Sequence, residues 1–382
     1  MARVTGNHVT TAVGGDNVRA FLPRPLPPAD PELDPASYVD QNLRAGIALS
    51  RLSAMAGLVA STRWLVYAAI RKEALLTSQM EGTQATLTDV LDDEAGLTVT
   101  NADDVEEVTN YLRAFNFARE QLGRENGLRV SVRLLTECHR VLMSGVRGAG
   151  KQPGMVRTTQ NWIGGSRPGN ARFVPPPANE VAPALSDLER YIHHPEPALP
   201  PLVRIALVHA QFETIHPFLD GNGRIGRLLI AILLEEWKLM PEPILYVSGY
   251  LKQHQSAYYE RLSAIRQDGD WEGWVSFFLE AVEAAADEAQ ASIAAIATLI
   301  AEDRKRVLDI GTSTLATLRL FELLPAMPRI TIDRAAKFLD VSNPTATKAI
   351  QGLREADVLR ETTGRLRNQS FLYSRYVELL RQ

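Results

Sequence analysis

The chain has 382 residues, of which 45% are hydrophobic and 23% are charged, and its formal net charge is −4. That length allows two or three domains with buried cores, and the charge argues against a protein that coats nucleic acid along its whole length. The single cysteine, Cys138, excludes an internal disulfide framework, and no apolar run is long enough to span a membrane. We therefore expect a cytoplasmic protein without a membrane segment.

The N-terminal part of the chain is rich in turn-forming residues, with six prolines between positions 23 and 35. This composition predicts an extended strap over residues 1–40 with little regular structure. From 39 to 80, apolar residues recur at spacings of three and four, which predicts two long helices. We assign residues 41–100 to an N-terminal helical region.

The second of these helices ends in a polar stretch, residues 77–82, with the sequence TSQMEG. Thr77 and Glu81 are one helical turn apart and share a face, while Gly82 can stop the helix. A carboxylate at such a helix end can form a salt bridge with an arginine of a phosphate site. The alternative is an exposed glutamate before a helix-ending glycine.

Further amphipathic helices are predicted at 102–123, 130–144, 180–193 and 202–215. Between the second and the third, β-forming residues surround Gly164-Gly165 and Pro168-Gly169, which predicts a hairpin. Near the end of the last of these helices lie His209, Gln211 and Glu213, which we interpret as core or supporting polar groups.

The most informative stretch is 216–227, HPFLDGNGRIGR, followed by an apolar helical run at 228–234. Glycines at 221 and 223 let backbone N–H groups turn inward, and a helix that begins there adds the positive end of its dipole. A loop of this kind binds anions, above all phosphates. The spacing and the lysine of a Walker A loop are missing.

Four side chains of this stretch have chemistry that suits phosphate transfer. Arg224 and Arg227 are three residues apart, so on a helix they can hold a polyphosphate together. Asp220 is a hard oxygen ligand suited to Mg²⁺, and a neutral His216 can take a proton from an incoming nucleophile. These residues predict phosphoryl or nucleotidyl transfer, and the alternative is a capped helix start with solvated arginines and a core histidine.

The stretch 216–227 resembles the Fic family signature HPFxDGNGRxGR, with no mismatch at a fixed position. Fic proteins mostly transfer AMP from ATP to a hydroxyl side chain of a target protein. The resemblance implies an all-α, Fic-type helical bundle with a small β-hairpin flap, and a catalytic domain at 101–308. By motif position it makes His216 the base and Asp220 the Mg²⁺ ligand. It places the ATP phosphates on Gly221, Asn222, Gly223, Arg224, Gly226 and Arg227.

The same resemblance gives a meaning to two other stretches. Residues 77–82 resemble the inhibitory motif [S/T]xxxE[G/N] of many Fic proteins, which implies that Thr77 and Glu81 are regulatory. By that resemblance Glu81 pairs with Arg227 and displaces the γ-phosphate of ATP. The hairpin resembles the Fic flap, which registers a target segment by strand addition beside the histidine. Its target-positioning residues would be Asn161, Trp162, Ile163 and Gly164; packing of Trp162 on the core is an equal alternative.

Residues 248–266 contain Tyr250, His254 and Tyr258 at spacings of four, which puts them on one predicted helical face. In related proteins the neighbouring helix helps to enclose the adenine, so these three residues are candidate adenine contacts. An aromatic stripe in the core is the alternative interpretation.

A long helix is predicted from 271 to about 306, and residues 309–382 follow it as a separate module. Helices at 314–324, 331–339 and 343–356, with a strand and wing at 358–365, resemble a winged helix-turn-helix. Thr345, Lys348 and Arg354 would lie on or near its recognition helix, with Arg365 and Arg367 on the wing. Residues 310–382 hold 11 Lys and Arg against 7 Asp and Glu. That excess is small for a DNA-binding domain, so protein docking or dimerisation is an equal alternative.

The leading hypothesis is a protein adenylyltransferase that uses ATP and Mg²⁺, modifies a Ser, Thr or Tyr hydroxyl, and is inhibited by Glu81. Its partner would be a target protein, with the chain itself and a second copy in a homodimer as further candidates. Two alternatives stay open. The same site could remove AMP from a modified target, with Glu81 positioning water, or the chain could be a nucleotide-sensing, DNA-binding transcriptional regulator.

Overall fold

The computed structural model of the protein describes residues 3–58, 63–145, 149–194, 199–365 and 367–381. The chain begins with an antiparallel hairpin of β1 (Gly6–Val13) and β2 (Asp16–Pro23). Gly14 and Gly15, both with positive φ, close its two-residue turn. The prediction of little regular structure in 1–40 is wrong for this hairpin, because the Val and Thr residues of β1 favour a strand and outweigh the nearby turn-formers.

Helices form most of the fold, as predicted. The junction at 59–62 between the first two of them lies outside the described residues. In chain order the helices up to residue 309 are α1 (Val39–Leu58), α2 (Arg63–Met80), α3 (Leu87–Glu94), α4 (Ala102–Gly123), α5 (Val132–Leu142), α6 (Ala178–His193), α7 (Pro201–Ile215), α8 (Asn222–Glu236), α9 (Ser248–Gln253), α10 (Gln255–Asp268) and α11 (Trp271–Asp309). Among the helices that the structure describes, none has both the length and the hydropathy of a membrane span.

Helices α7 and α8 lie at the centre of the bundle. Every residue of α7 from Leu202 to Ile215 except Arg204 is buried, which follows from a sequence that is apolar on nearly all sides. The indole N–H of Trp274 on α11 donates to the buried carbonyl of Ala206, 2.8 Å away. Helix α8 packs on α7 and is flanked by α2, α4 and α5. The loop that joins α7 to α8 is therefore held from several sides.

The predicted hairpin near Gly164 is reduced to a single β-bridge between Ile163 and Phe173. The N–H of Ile163 donates to the Phe173 carbonyl at 2.8 Å, and the N–H of Arg172 donates back to the Ile163 carbonyl at 2.9 Å. Prolines at 168 and 175–177 cannot donate to a longer ladder, so no further strand pairing forms. We call residues 161–174 the flap.

After α11 come α12 (Leu315–Leu323), β3 (Arg329–Thr331), α13 (Ile332–Leu339), α14 (Asn343–Glu355), β4 (Arg360–Glu361), β5 (Ser370–Leu372) and α15 (Ser374–Arg381). In the three-stranded sheet, β5 lies between β3 and β4 and is antiparallel to both. The predicted helices and wing strand are present in this C-terminal unit. Its assignment as a winged helix-turn-helix stays a prediction.

The C-terminal unit shares its hydrophobic core with helices that precede it. Leu87 and Leu91 of α3 and Leu299 of α11 belong to that core, and Tyr67 of α2 packs at its edge. The Tyr67 hydroxyl donates to the carboxylate of Glu94 at 2.6 Å. The helix that ends just before Glu81 is thus in contact with the C-terminal unit.

Candidate active site

The backbone of His216 makes a sharp turn at the end of α7. Its φ of 49° and ψ of 63° are left-handed, and its N–H donates to the Phe212 carbonyl at 2.9 Å to close the helix. Burial lowers the pKa of the imidazole to about 4, and the positive charge of Arg157 acts in the same direction. His216 is therefore neutral at physiological pH, as a proton acceptor must be.

Arg157 anchors the loop after His216 through hydrogen bonds to backbone carbonyls. Its buried guanidinium donates to the carbonyls of His216 at 2.9 Å and Pro176 at 2.6 Å, while its N–H donates to the carbonyl of Pro217 at 2.9 Å. No sequence pattern assigned a role to Arg157. Only its position just before the predicted hairpin could have pointed to it.

His139 of α5 supports the same loop and was also missed. Its ring stacks on Phe218 with centroids 3.8 Å apart. The Nδ1 atom accepts a hydrogen bond from the Gly154 N–H at 2.9 Å, so Nε2 carries the proton and donates to the Asp220 carbonyl at 3.1 Å. Burial lowers the pKa of His139 to about 4, which keeps this neutral form.

Asn222 was predicted to contact phosphate, but its amide braces the loop. Its Oδ1 accepts from the Phe218 N–H, and its Nδ2 donates to the Phe218 carbonyl, both at 2.8 Å. Both polar atoms of the side chain are used in this ring of bonds, and the residue is buried. A phosphate at the start of α8 would meet the backbone N–H of Asn222.

Gly223 and Gly226 of α8 each have a carboxylate in the space that a Cβ atom would occupy. A Cβ on Gly223 would lie 2.3 Å from Oε1 of Glu81, and a Cβ on Gly226 would lie 2.3 Å from Oε1 of Glu213. The prediction of a phosphate contact for Gly226 is not supported by its place, because it faces the interior and its carbonyl bonds Nδ1 of His209 at 3.0 Å. Gly223 lies on the open side of the helix.

Arg227 is held by the C-terminal end of α2. Its Nε donates to Oγ1 of Thr77 at 2.6 Å, and its Nη2 donates to the Thr77 carbonyl at 3.2 Å and to Glu81 at 2.5 Å. The contact between Glu81 and Arg227 that the resemblance implied is present. Thr77 supports the same guanidinium from the preceding turn.

Arg224 points to the other side of α8. Its guanidinium lies 3.7 Å from Glu107 and 3.9 Å from Asp220, in a small cavity that Glu81 also lines. Asp220 accepts a hydrogen bond from the N–H of Gly221 at 2.6 Å, and its side chain is 48% exposed. The two arginines of the signature therefore do not face one cavity.

A cavity of about 490 Å³ lies between the flap, the loop 216–221 and α10. Each group of residues predicted for the active site has at least one member in its lining. These are His216, Asp220, Gly221, Asn222, Gly223 and Arg227 of the signature, Glu81, the flap residues Asn161, Trp162, Ile163 and Gly164, and Tyr258. Thr77, Arg224 and Gly226 are not among them.

The flap borders this cavity through side chains that differ in exposure. Trp162 is 36% exposed and lines the cavity, so target positioning and packing on the core both stay predictions. The Nδ2 atom of Asn161 donates to the carbonyls of Phe218 and Leu219 at 3.2 and 3.3 Å. These bonds tie the flap to the loop after His216.

The predicted adenine face is not formed as one face. The helix breaks at His254 between α9 and α10, so Tyr250 and Tyr258 belong to different helices. Tyr250 stacks on His254 with centroids 4.0 Å apart, and neither residue lines the cavity. Tyr258 does line it, together with the exposed Tyr259, which lies outside the predicted spacing of four.

Behind the cavity lies a buried polar group. Burial raises the pKa of Glu213 to about 7 against the opposing effect of Arg227, and its Oε1 bonds no other described residue. His209 bonds the hydroxyl of Tyr258 at 2.9 Å, and burial lowers its pKa to about 3. Gln211 donates to the Arg24 carbonyl at 2.8 Å. His209 and Gln211 thus have the supporting role predicted for them, whereas Glu213 also lines the cavity.

The predicted DNA-contacting residues lie elsewhere, on the C-terminal unit. Thr345, Lys348 and Arg354 are exposed on α14, and Arg365 and Arg367 are exposed between β4 and β5. Whether they contact DNA stays a prediction.

Comparison with known proteins identifies two segments. Residues 39–120 match the family described as Fic/DOC family N-terminal, and residues 129–234 match the Fic/DOC family. The protein adenylyltransferase Fic of Drosophila grimshawi is 30% identical over 161 residues, which cover 42% of this chain and 30% of that protein. Its counterpart in Culex quinquefasciatus is 28% identical over 186 residues, 48% of this chain and 34% of that protein. The chain thus spans about a third of the length of these curated relatives.

Solved structures show the same fold. A Fic family protein from Desulfovibrio desulfuricans superposes with a TM-score of 0.58 at 22% identity, covering 89% of this chain and 96% of that one. Fic-1 from C. elegans superposes with a TM-score of 0.52 at 20% identity, covering 67% of this chain and 74% of the other.

Proposed function

Residues 39–120 match the N-terminal model of the Fic/DOC family and residues 129–234 match the Fic/DOC family itself, and from that premise we propose that this protein transfers AMP from ATP to a hydroxyl side chain of a target protein. One observation carries the proposal. His216, Asp220, Arg227 and the start of α8 meet at a single cavity that the flap borders. The relatives named protein adenylyltransferase support the same reaction.

His216 acts as the base in the proposed reaction. Its imidazole is neutral at pH 7, because burial holds its pKa near 4. It takes the proton of the target hydroxyl, whose oxygen attacks the α-phosphorus of ATP. The bond from that phosphorus to the α,β-bridging oxygen breaks, and pyrophosphate leaves. AMP remains joined to the target as a phosphodiester.

The start of α8 holds the phosphates. The first N–H groups of a helix have no acceptor within it, and here Gly221 and Gly223 leave them open to a ligand. Arg227 supplies a fixed positive charge at the same end, which stabilises charge that develops on the leaving group.

Asp220 would hold Mg²⁺. Its carboxylate is half exposed and lines the cavity, and carboxylate and phosphate oxygens are the ligands that Mg²⁺ prefers. When bound, the cation would neutralise phosphate charge. The residues present fit that role.

Glu81 inhibits the reaction in this proposal. Its carboxylate occupies Arg227 and lies against Gly223, at the end of α8 where an ATP phosphate would bind. A carboxylate and a phosphate cannot share that place, since both are negative. ATP can then bind productively only when Glu81 moves away.

The test measures transfer of label from α-labelled ATP with Mg²⁺ to protein, in the wild type, Glu81→Gly, Glu81→Gln and His216→Ala. Glu81→Gly should incorporate about tenfold more label than the wild type, and His216→Ala should incorporate none above background. Glu81→Gln keeps the size of the side chain and the helix end, so a gain there assigns the inhibition to charge. If Glu81→Gly labels no more protein than His216→Ala, the proposed function is wrong.

A further inference from the structure

A second cavity, of about 500 Å³, lies between the hairpin β1–β2, the flap and α10. It adjoins the active-site cavity, since Arg172, Phe173, Ser263 and Arg266 line both. A peptide lying across Phe173 would therefore reach from this second cavity to the space in front of His216. We call the second cavity the basic groove.

The groove is rich in cations. Arg19, Arg172 and Arg266 line it together with His8, and none of the described residues that line it is Asp or Glu. Arg19 and Arg172 are exposed, and neither guanidinium forms a hydrogen bond or an ion pair with another described residue. Asp16 of β2 bonds the N–H of Gly169 at 3.0 Å instead and lies outside the lining. The guanidinium groups of Arg19 and Arg172 are thus available to a ligand.

The floor between these cations is aromatic. The ring of Phe21 lies 5.4 Å from that of His8 and 6.4 Å from that of Phe173. The guanidinium of Arg266 lies 3.9 Å above the Phe173 ring. This cation–π contact holds together two residues that line both cavities. A flexible segment with carboxylates and apolar side chains complements such a surface.

The two walls of the groove are joined to each other. The N–H of Phe21 donates to the Val174 carbonyl at 2.9 Å, and the buried side chains of Val18 and Ala20 pack on Val174. The hairpin therefore continues the flap on the side away from the α7–α8 loop. A target held by the flap would extend onto the hairpin.

We propose that the basic groove binds an acidic segment of the target protein, with Arg19 and Arg172 contacting carboxylates near the hydroxyl that is modified. This inference rests on the proposed function and names its class of substrate. The flap would register the backbone of the target, and the groove would select its sequence. Charge complementarity of this kind gives specificity and speeds association.

Binding is measured without catalysis, using the His216→Ala variant in the absence of ATP. The probes are two fluorescein-labelled peptides of equal length, each with one central serine, flanked by Glu in one and by Gln in the other. The Glu peptide should bind about fivefold more tightly at low salt, and this preference should vanish at about 0.5 M salt, where charges are screened. Fluorescence anisotropy reports both affinities.

Arg19→Glu should weaken binding of the Glu peptide by about tenfold, since it replaces an attraction with a repulsion. Arg172→Gln provides a second variant of the groove and should weaken it by about threefold. The matched control is Arg24→Glu, an exposed arginine just beyond β2 that does not line the groove. It should leave the affinity within about twofold.

Equal binding of the two peptides would overturn the inference, and so would equal losses from Arg19→Glu and Arg24→Glu. A single-stranded DNA oligonucleotide is tested in parallel. If it binds, and Arg19→Glu weakens it while the Glu peptide does not bind, the groove takes nucleic acid and the inference is wrong. Labelling by Glu81→Gly is scored separately, so a failure of AMP transfer with an intact peptide preference would count against the proposed function alone.

Discussion

The carboxylate of Glu81 lies 2.5 Å from the guanidinium of Arg227, and the arginine side chain is 2% exposed while the glutamate side chain is 33% exposed. Burial acts to raise the pKa of Glu81, but the positive charge of Arg227 outweighs it and lowers that pKa. The pair is therefore ionised at neutral pH. For ATP to bind, the ion pair between Glu81 and Arg227 must separate. Water screens the charge of the partly exposed Glu81 but not that of the buried Arg227.

Replacing Thr77 by valine should destabilise the protein. The buried Thr77 hydroxyl accepts a 2.6 Å hydrogen bond from Nε of Arg227, and valine has nearly the same volume but no acceptor. An unpaired buried donor costs about 1–3 kcal/mol, so the thermal midpoint should fall. Thr77→Ser keeps the oxygen and should lose less. Equal midpoints for the two variants would show that this hydrogen bond contributes little.

The rate of AMP transfer should not depend on His216 titration near pH 6.5. Burial lowers the pKa of this imidazole from 6.5 to about 4, so it stays neutral between pH 5.5 and 7.5. Glu81 acts to raise that pKa, so its removal in Glu81→Gly keeps the same direction. Initial rates of this variant should therefore show no step centred at pH 6.5. A steep fall centred at pH 6.5 would contradict the assignment of His216 as a buried base.

Glu213→Gln should stabilise the protein more at high pH than at low pH. Because burial raises the pKa of Glu213 from 4.5 to about 7, its contribution to stability is fully present below pH 4.5 and is lost as the pH rises through 7. The loss is on the order of 3 kcal/mol, and glutamine cannot ionise.

The difference in thermal midpoint between Glu213→Gln and the wild type should therefore grow from pH 5.5 to 8.5. Glu236→Gln changes an exposed glutamate on the neighbouring α8 and serves as the control, with a difference that stays near zero. A constant difference for Glu213→Gln would mean that its carboxyl is not buried in the folded protein.

Deleting residues 310–382 should destabilise the helices that remain. It would expose Leu87, Leu91 and Leu299, which share a core with the C-terminal unit, and would remove the contact of Arg334 with the Glu94 carbonyl. Since α2 packs at the same core, we expect a lower thermal midpoint and more labelling from ATP than in the full chain. A truncated protein with an unchanged midpoint and unchanged labelling would show that the unit is independent.

The prediction of DNA contact is better tested by point variants than by that deletion. If α14 binds DNA, a gel shift at low salt should disappear in Lys348→Glu and persist in Lys305→Glu, an exposed lysine of α11. Each lost phosphate contact also reduces the salt dependence by about one unit of slope. No shift at low salt would remove DNA contact and favour protein docking.

The local parts of the site could be predicted because they lie close together in sequence. The residues from His216 to Arg227 span one loop and fewer than two helical turns, so their order largely determines which of them meet. Glu81 could be placed only through the family resemblance, since nothing local indicates a partner 146 positions away. The mostly helical structure could be predicted from the spacing of apolar residues, because that spacing is a local property of each segment.

Contacts made through the backbone could not be predicted. Arg157 and His139 act on carbonyl groups of the loop, and every residue has a carbonyl, so no side-chain pattern marks the acceptor. Asn222 belongs to the signature, yet its amide is used within the loop. The break at His254 changed the predicted aromatic face, because a period of four holds only while one helix continues.

The left-handed backbone conformation of His216 costs folding free energy at the residue that is proposed to act as the base. A residue with a Cβ costs about 1 kcal/mol in that conformation, and glycine costs little. His216→Gly would therefore relieve strain while removing the base. The backbone strain and the proposed catalytic role are therefore carried by the same residue.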